Sequence, residues 1–101
     1  MARAGEFTAV FCSTDYILLE LYQAAATAGI KIPEQLSAVG YDNMDFLKFL
    51  NPAPATISQY KNELGSAAGE LILKLINDPA CEERETVFEP KLIPGHSVNR
   101  I

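Results

Sequence analysis

The sequence has few of the residues on which catalysis and metal binding usually depend. Its 101 residues include no tryptophan, one histidine and two cysteines. Neither Cys12 nor Cys81 lies in a CxxC motif or near a histidine at metal-ligand spacing, and His96 has no triad partner in sequence. We therefore predict no catalytic residue, no metal site and no cofactor. Cys12 is expected to be buried, and Cys81 and His96 to be exposed.

Clustered basic charge and long apolar runs are also absent. Eight Lys and Arg residues stand against 13 Asp and Glu residues, which gives a net charge of -5. This balance provides no footprint for a phosphate backbone, so we expect no DNA contact from these residues. No apolar run approaches the roughly 20 residues of a membrane span, and residues 1–7 lack the apolar stretch of a signal peptide. We predict a cytoplasmic chain without membrane contact.

Strand-like and helix-like segments alternate along the chain, which predicts an α/β fold. The composition, 49% hydrophobic and 21% charged, is that of one small globular domain. Strands are predicted over Phe7–Cys12 and Leu36–Tyr41. The helix between them is capped by Thr14 or Asp15 and ends at Gly29. A strand–helix–strand unit of this length predicts parallel strands with a right-handed connection.

The second half of the sequence predicts a short helix, a strand, a long helix and two extended runs. Prolines interrupt the extended runs, which favours positions at the edge of a sheet. The long helix carries an apolar stripe at helical spacing. The predicted ranges, in chain order, are Met44–Leu50, Ala55–Ser58, Tyr60–Asn77, Thr86–Phe88 and Lys91–Ile93.

Three short strings place polar residues where predicted strands end. Each is an apolar run that finishes in small and polar residues, as parallel strands do where they deliver ligand-binding groups. Together they predict a cleft for a small molecule. The strings are Phe11-Cys12-Ser13-Thr14-Asp15, Val39-Gly40-Tyr41-Asp42-Asn43 and Ala55-Thr56-Ile57-Ser58-Gln59.

Asp42 and Gln59 are the candidate ligand-binding side chains in these strings. The Asp42 carboxylate can accept a pair of hydrogen bonds from vicinal sugar hydroxyls or from the N–H edge of a base. Its alternative role is an Asx turn that closes the strand end. The Gln59 amide can both donate and accept, as a hydroxyl-rich ligand requires, and its alternative role is that of a solvated loop residue. The residues alone leave both alternatives open.

From Phe11 to Val98 the sequence resembles the carboxy-terminal part of the effector-binding core of lac-repressor/galactose-repressor family regulators. The resemblance rests on the three strings and their distances. It implies a partial doubly wound parallel sheet of the type I periplasmic-binding-protein kind. It implies that about 1–56 and 91–101 belong to the carboxy-terminal subdomain and about 60–86 to the amino-terminal one, so that 1–101 is a partial effector-binding domain. The helix-turn-helix that reads DNA in the family is expected to be absent from this chain.

The resemblance also implies roles for individual residues. Asp42 matches a direct effector ligand of the family, and Gln59 matches a glutamine that contacts sugar. Thr14 stands where many members carry an effector-binding asparagine, and Asp15 then caps the helix or supports the site from behind. Leu19 and Leu50 match positions in or near the family's dimer interface, although the core of the chain itself is the alternative place for them. The implied partners are a sugar or purine-like effector and a second copy of the protein.

Two other function classes stand beside the regulator. A periplasmic sugar-binding component of a transporter shares the fold and the ligand strings. The runs Ile32–Asp42 and Pro52–Ile57, however, look more like those of the regulators. An enzyme of doubly wound fold is disfavoured, because the sequence shows no glycine-rich phosphate loop, no nucleophile with a base and no metal cluster. The favoured interpretation is a fragment of the sensing core of a transcriptional regulator, which is not an enzyme.

Overall fold

The computed structural model describes residues 4–80 and 87–100 of the chain. Within these ranges it contains four short strands, two α-helices and two short 3-10 helices. The strands are β1 (Ala9–Phe11), β2 (Ser37–Val39), β3 (Thr56–Ser58) and β4 (Lys91–Ile93). The α-helices are α1 (Asp15–Ala28) and α2 (Lys61–Asn77), and the 3-10 helices span Ala4–Glu6 and Asp45–Phe49.

The first three strands run parallel and lie side by side in the same order as in the sequence. Residues Ala9 to Phe11 of β1 pair with Ser37 to Val39 of β2. A parallel bridge then joins Val39 to Ala55, and the Asp42 N–H donates to the Ile57 carbonyl at 2.8 Å. The predicted parallel strand–helix–strand unit is therefore confirmed, and all three strands end at the same edge of the sheet.

β4 runs antiparallel to β3, which the sequence analysis did not predict. Thr56 faces Ile93 and Ser58 faces Lys91 in this pair. Of the other predicted extended run, Thr86–Phe88, Thr86 lies outside the described residues and the remainder forms no strand.

Helix α1 is built as its sequence indicates, except at its first residue. Thr14 is the N-cap, and its hydroxyl accepts a hydrogen bond from the Ile17 N–H at 3.2 Å. Gly29 ends the helix in the left-handed conformation with φ 72°, which glycine adopts without steric cost. Of the two roles expected for Asp15, the structure excludes the helix cap, because its carboxylate is turned inward and bonds to the Met44 N–H and the Thr56 hydroxyl.

The core cluster joins α1, the end of β1, β2 and the 3-10 helix Asp45–Phe49. Its buried members are Cys12, Leu18, Ala38 and Leu47. The predicted burial of Cys12 is confirmed, and its burial together with the nearby Asp15 raises the pKa of its thiol. Cys81 lies outside the described residues. His96 is exposed, as predicted.

The segment after β4 returns to the sheet and forms hydrogen bonds with β2 and with the residue before β3. The Ser97 hydroxyl is fully buried; it accepts from the Ala55 N–H at 2.8 Å and donates to the Ala38 carbonyl at 2.5 Å. The Ala38 N–H in turn donates to the Ser97 carbonyl at 2.9 Å. A single serine thus joins β2 to the residue before β3.

Helix α2 contains no buried residue. Leu64, Ile72, Leu73 and Ile76 are between 41% and 68% exposed, although they are large and apolar. The described chain extends over 58 × 24 × 22 Å, longer than a compact domain of this size. Neither helix among the described residues is long and apolar enough to cross a bilayer.

Candidate functional site

The carboxyl ends of β1, β2 and β3 come together at one edge of the sheet. The Asp15 N–H, which follows β1, donates to the Tyr41 carbonyl, which follows β2, at 2.9 Å. The Asp42 N–H donates to Ile57 of β3. Because parallel strands end side by side, the three polar strings of the sequence form one surface.

Asp42 and Gln59 are in direct contact at this edge. The Gln59 Nε2 donates to Asp42 Oδ1 at 2.8 Å, and both residues are partly buried. An Asx turn at Asp42 would use the N–H two residues on, but the Met44 N–H donates instead to Asp15 Oδ2 at 2.7 Å. The structure therefore pairs the Asp42 carboxylate with a side chain rather than with its own turn.

The backbone that presents Asp42 is in an unusual conformation. Asp42 has φ 118° and Asn43 has φ 58°. Positive φ values are uncommon for residues other than glycine, and the strain persists only where surrounding contacts enforce it. We call residues 42–44 the ligand turn.

Lys61, the first residue of α2, holds the outer side of the ligand turn. Its Nζ donates to the Asp42 carbonyl at 3.1 Å and to the Asn43 carbonyl at 2.9 Å. Tyr60, just before it, has φ 54°. The start of α2 is thus tied to the site, although the body of the helix is not buried.

Asp15 and Thr56 hold the inner side of the ligand turn. Asp15 is fully buried and Thr56 is 1% exposed. The Thr56 hydroxyl donates to Asp15 Oδ1 at 2.9 Å and accepts from the Asn43 N–H at 3.3 Å. Asp15 was a candidate from the sequence, whereas the role of Thr56 could not be predicted, since a threonine in a strand has no signal beyond β-propensity.

Gly40 gives the Asp15 carboxylate its place against β2. A Cβ atom at residue 40 would overlap Asp15 Oδ1 and come within 2.9 Å of Leu18 Cδ2. The requirement for glycine at this position is therefore steric.

Thr14 lies at the same edge, but its hydroxyl already takes part in one hydrogen bond. It accepts from the Ile17 N–H, and the residue is partly buried. A threonine hydroxyl can still donate while it accepts. Effector contact by Thr14 stays a prediction.

Leu19 and Leu50, the two predicted interface residues, are both partly buried. Leu50 packs against the core cluster of its own chain. The contact is compatible with the intramolecular alternative, and the interface role of both leucines stays a prediction.

Two pairs of aromatic rings lie near the site, each with one exposed and one partly buried member. Phe11, the last residue of β1, is 64% exposed, and its ring centroid lies 6.5 Å from that of Tyr41 in an edge-on arrangement. Tyr16 and Phe46 form a second pair with centroids 5.2 Å apart. The apolar faces of sugars and bases pack on such rings.

The other end of the sheet carries a groove of about 440 Å³. It is lined by residues that include Thr8, Ser37, Glu34 and Arg100. Thr8, Glu34 and Ser37 lie at or before the starts of β1 and β2, and Arg100 lies in the segment after β4, so the groove is separate from the site. In the described ranges no three His, Cys, Asp or Glu residues are grouped as metal ligands.

Comparison with known proteins identifies the family. A model of the periplasmic binding protein-like domain matches residues 2–98. The ribose operon repressor of Haemophilus influenzae is 41% identical over 98 residues, which cover 97% of this chain and 30% of the repressor. The transcriptional repressor PurR of Vibrio campbellii is 33% identical over 94 residues, which cover 93% of this chain and 28% of that protein.

A solved structure gives the same result. The LacI family transcriptional regulator from Enterococcus faecalis V583, with bound ribose, superposes with a TM-score of 0.89 at 38% identity, covering 92% of this chain and 35% of that one. The chain thus spans less than a third of the length of the curated relatives above, all of which are repressors. It belongs to the periplasmic binding protein-like domain family and corresponds to the carboxy-terminal part of the effector-binding core of LacI-type transcriptional regulators.

Proposed function

We propose that this chain supplies one wall of a sugar site, in which Asp42 and Gln59 bind the effector of a LacI-type regulator. The observation that carries the proposal is the Asp42–Gln59 hydrogen bond at the common end of three parallel strands. A carboxylate that is fixed by an amide and partly open to solvent can accept from two neighbouring hydroxyls. The amide oxygen of Gln59 then remains to accept from a third.

The names of the relatives favour a pentose. One curated relative is a ribose operon repressor, and the regulators of Enterococcus faecalis and Enterococcus faecium were solved with bound ribose. The exposed ring of Phe11 offers an apolar face beside the polar pair. We infer that D-ribose or a similar sugar is the effector, and Thr14 is proposed as a third contact.

The division into subdomains is part of the proposal. The antiparallel β3–β4 pair places two passages of the chain side by side, and Ser97 then returns to the sheet of β1 and β2. Helix α2 lies between these passages in sequence and is not buried. Both facts support assignment of about 1–56 and 91–101 to one lobe and about 60–86 to the other.

The proposed biological role is that of the regulators. A protein with this core senses a sugar, acts as a homodimer and contacts DNA through a separate amino-terminal helix-turn-helix. It therefore works in the cytoplasm, where the DNA is, and catalyses no reaction. The acidic balance of this chain, with a net charge of -5, supports assignment of the DNA contact to other residues.

The decisive test needs both walls of the cleft. We would replace the matching segment of the Enterococcus faecalis regulator core by residues 2–98 of this chain; we call this protein the chimera. Calorimetric titration with D-ribose should give binding, and Asp42→Ala should weaken it at least about tenfold, because hydrogen bonds to a charged group contribute about 1.5 to 3 kcal/mol each.

The matched control is Asp45→Ala, which removes an exposed carboxylate three residues along. Asp45→Ala should leave the affinity within about twofold of the unsubstituted chimera, as expected of an exposed residue without a ligand. Equal loss in both variants, or no loss with Asp42→Ala in a folded chimera, would reject the assignment. Hypoxanthine serves as the alternative ligand, and tighter binding of it than of ribose would replace the sugar by a purine.

A further inference from the structure

We propose that Asp15 and Thr56 are positioning residues that hold the ligand turn in the conformation that aims the Asp42 carboxylate. The inference rests on the proposed role of Asp42 as an effector ligand. It assigns to two buried side chains, neither of them at the surface of the cleft, control over effector affinity.

The direction of the hydrogen bonds ties the ligand turn to Asp15 and Thr56. Thr56 has one hydroxyl proton, and the geometry gives it to Asp15 Oδ1, so that its lone pair is left for the Asn43 N–H. Asp15 Oδ2 receives the Met44 N–H at 2.7 Å. Two successive N–H groups of the ligand turn therefore end on one buried pair of side chains.

Asp15 and Thr56 also restrain a strained stretch of backbone. Asp42 and Asn43 both have positive φ, an arrangement that is strained for residues other than glycine and persists only where the surrounding contacts enforce it. Asn43 is exposed, so packing of its side chain does not supply the restraint. The backbone hydrogen bonds to Thr56 and Asp15 supply it from inside, and Lys61 supplies it from outside.

The position of Asp15 relative to Asp42 supports the same role. Its N–H donates to the Tyr41 carbonyl, and its carboxylate accepts from the Met44 N–H, so it contacts the chain on both sides of Asp42. Burying a carboxyl group is costly unless it is hydrogen-bonded. In this chain the Asp15 carboxylate forms its hydrogen bonds with the ligand turn and with β3, which explains how a carboxyl group can be buried there.

The test compares two buried hydroxyls. Thr56→Val keeps the shape of the side chain and removes both hydrogen bonds, and Thr56→Ser restores the hydroxyl. Ser97→Ala is the matched control, because the Ser97 hydroxyl is equally buried and hydrogen-bonds to the Ala55 N–H and the Ala38 carbonyl rather than to residues 42–44. All three variants are made in the 101-residue chain for NMR and in the chimera for D-ribose titration.

In the chain, the φ-dependent couplings of Asp42 and Asn43 should change in Thr56→Val and should match the unsubstituted chain in Ser97→Ala and Thr56→Ser. In the chimera, Thr56→Val should weaken ribose binding about tenfold or more, with Thr56→Ser within about threefold and Ser97→Ala within about twofold, as expected if only the first loses the restraint on Asp42. A merely structural role would make Thr56→Val and Ser97→Ala equivalent.

Unchanged couplings in a folded Thr56→Val chain would overturn the inference, whatever happens to ribose. Changed couplings in a protein that binds no ribose would leave the positioning role standing and refute the proposed function instead. If Thr56→Val fails to fold, hydrogen exchange in the unsubstituted chain decides. The Asn43 and Met44 amides should then exchange at least about tenfold more slowly than in an unstructured peptide, and unprotected amides would refute the restraint.

Discussion

Replacing Gly40 by alanine should destabilise the chain more than the same substitution at any glycine that lies in open surroundings. The new Cβ would overlap Asp15 Oδ1 and lie 2.9 Å from Leu18 Cδ2. Both neighbours are fully buried, so neither can move toward solvent. The substitution therefore forces a shift of the helix start or of β2.

The magnitude follows from two terms of the same sign. Overpacking of a core position costs about 1 to 3 kcal/mol. Displacement of the Asp15 carboxylate also weakens, without abolishing, its hydrogen bonds to the Met44 N–H and the Thr56 hydroxyl, at a further cost of about 1 kcal/mol each. Set against a gain of up to about 1 kcal/mol from the stiffer unfolded chain, the net loss is about 2 to 4 kcal/mol. For a chain of this length, a loss of that size lowers Tm by roughly 10 to 25 °C.

The assay is thermal unfolding followed by circular dichroism, with the tyrosine signal in the near ultraviolet as a second probe. Gly65→Ala is the control, because a Cβ at that position meets nothing within 4 Å and residue 65 lies inside α2. This control should increase helicity, since alanine favours a helix interior by about 0.5 to 1 kcal/mol over glycine. A Gly40→Ala protein whose Tm falls by only a degree or two, or no further than that of the control, would refute the steric argument.

Three further outcomes are expected. The Cys12 thiol should react slowly with a thiol reagent at pH 8 and rapidly after unfolding, because burial and Asp15 raise its pKa; equal rates in both states would contradict its burial. Burial also raises the pKa of Tyr22, so the free energy of unfolding should hold below pH 10 and fall as pH rises through the folded pKa. Tyr22→Phe should remove that fall and, by losing the bond to the Pro52 carbonyl, cost about 1 kcal/mol at neutral pH. The chain should self-associate in sedimentation equilibrium at micromolar concentration, because α2 exposes apolar side chains. Leu19→Glu or Leu50→Glu should weaken a dimer built on the family surface. A monomer at every concentration would refute the prediction.

The sequence predicted the features that depend on neighbours in the chain. Helical spacing and Gly29 gave α1 its end, and polar residues after apolar runs marked the edge where the site lies. The choice between Thr14 and Asp15 as the cap could not be made from sequence, because both residue types cap helices well. Long-range contact decides it: the Asp15 carboxylate bonds to Thr56, which is 41 residues away.

The features that depend on distant segments were not predictable. Asp42 and Gln59 each appeared as candidates, but their hydrogen bond follows from the order of β2 and β3 in the sheet. Ser97 and the β3–β4 pairing left no periodic signal, since a single serine and a three-residue strand resemble ordinary loop sequence. The apolar stripe of α2 was visible in its spacing, but spacing does not say which surface covers a helix.

The place of Ser97 near the end of the described chain sets an order of events during synthesis. Ser97 accepts a hydrogen bond from the Ala55 N–H, which lies 42 residues earlier in the chain. A ribosome that adds about 5 to 20 residues per second needs about 2 to 8 s to add these residues. For that time β1, α1, β2 and β3 can collapse together, but the Ala38 carbonyl and the Ala55 N–H have no Ser97 to bond. The nascent chain therefore spends seconds with an incomplete sheet. During this interval its unpaired backbone groups are most in need of protection by a chaperone.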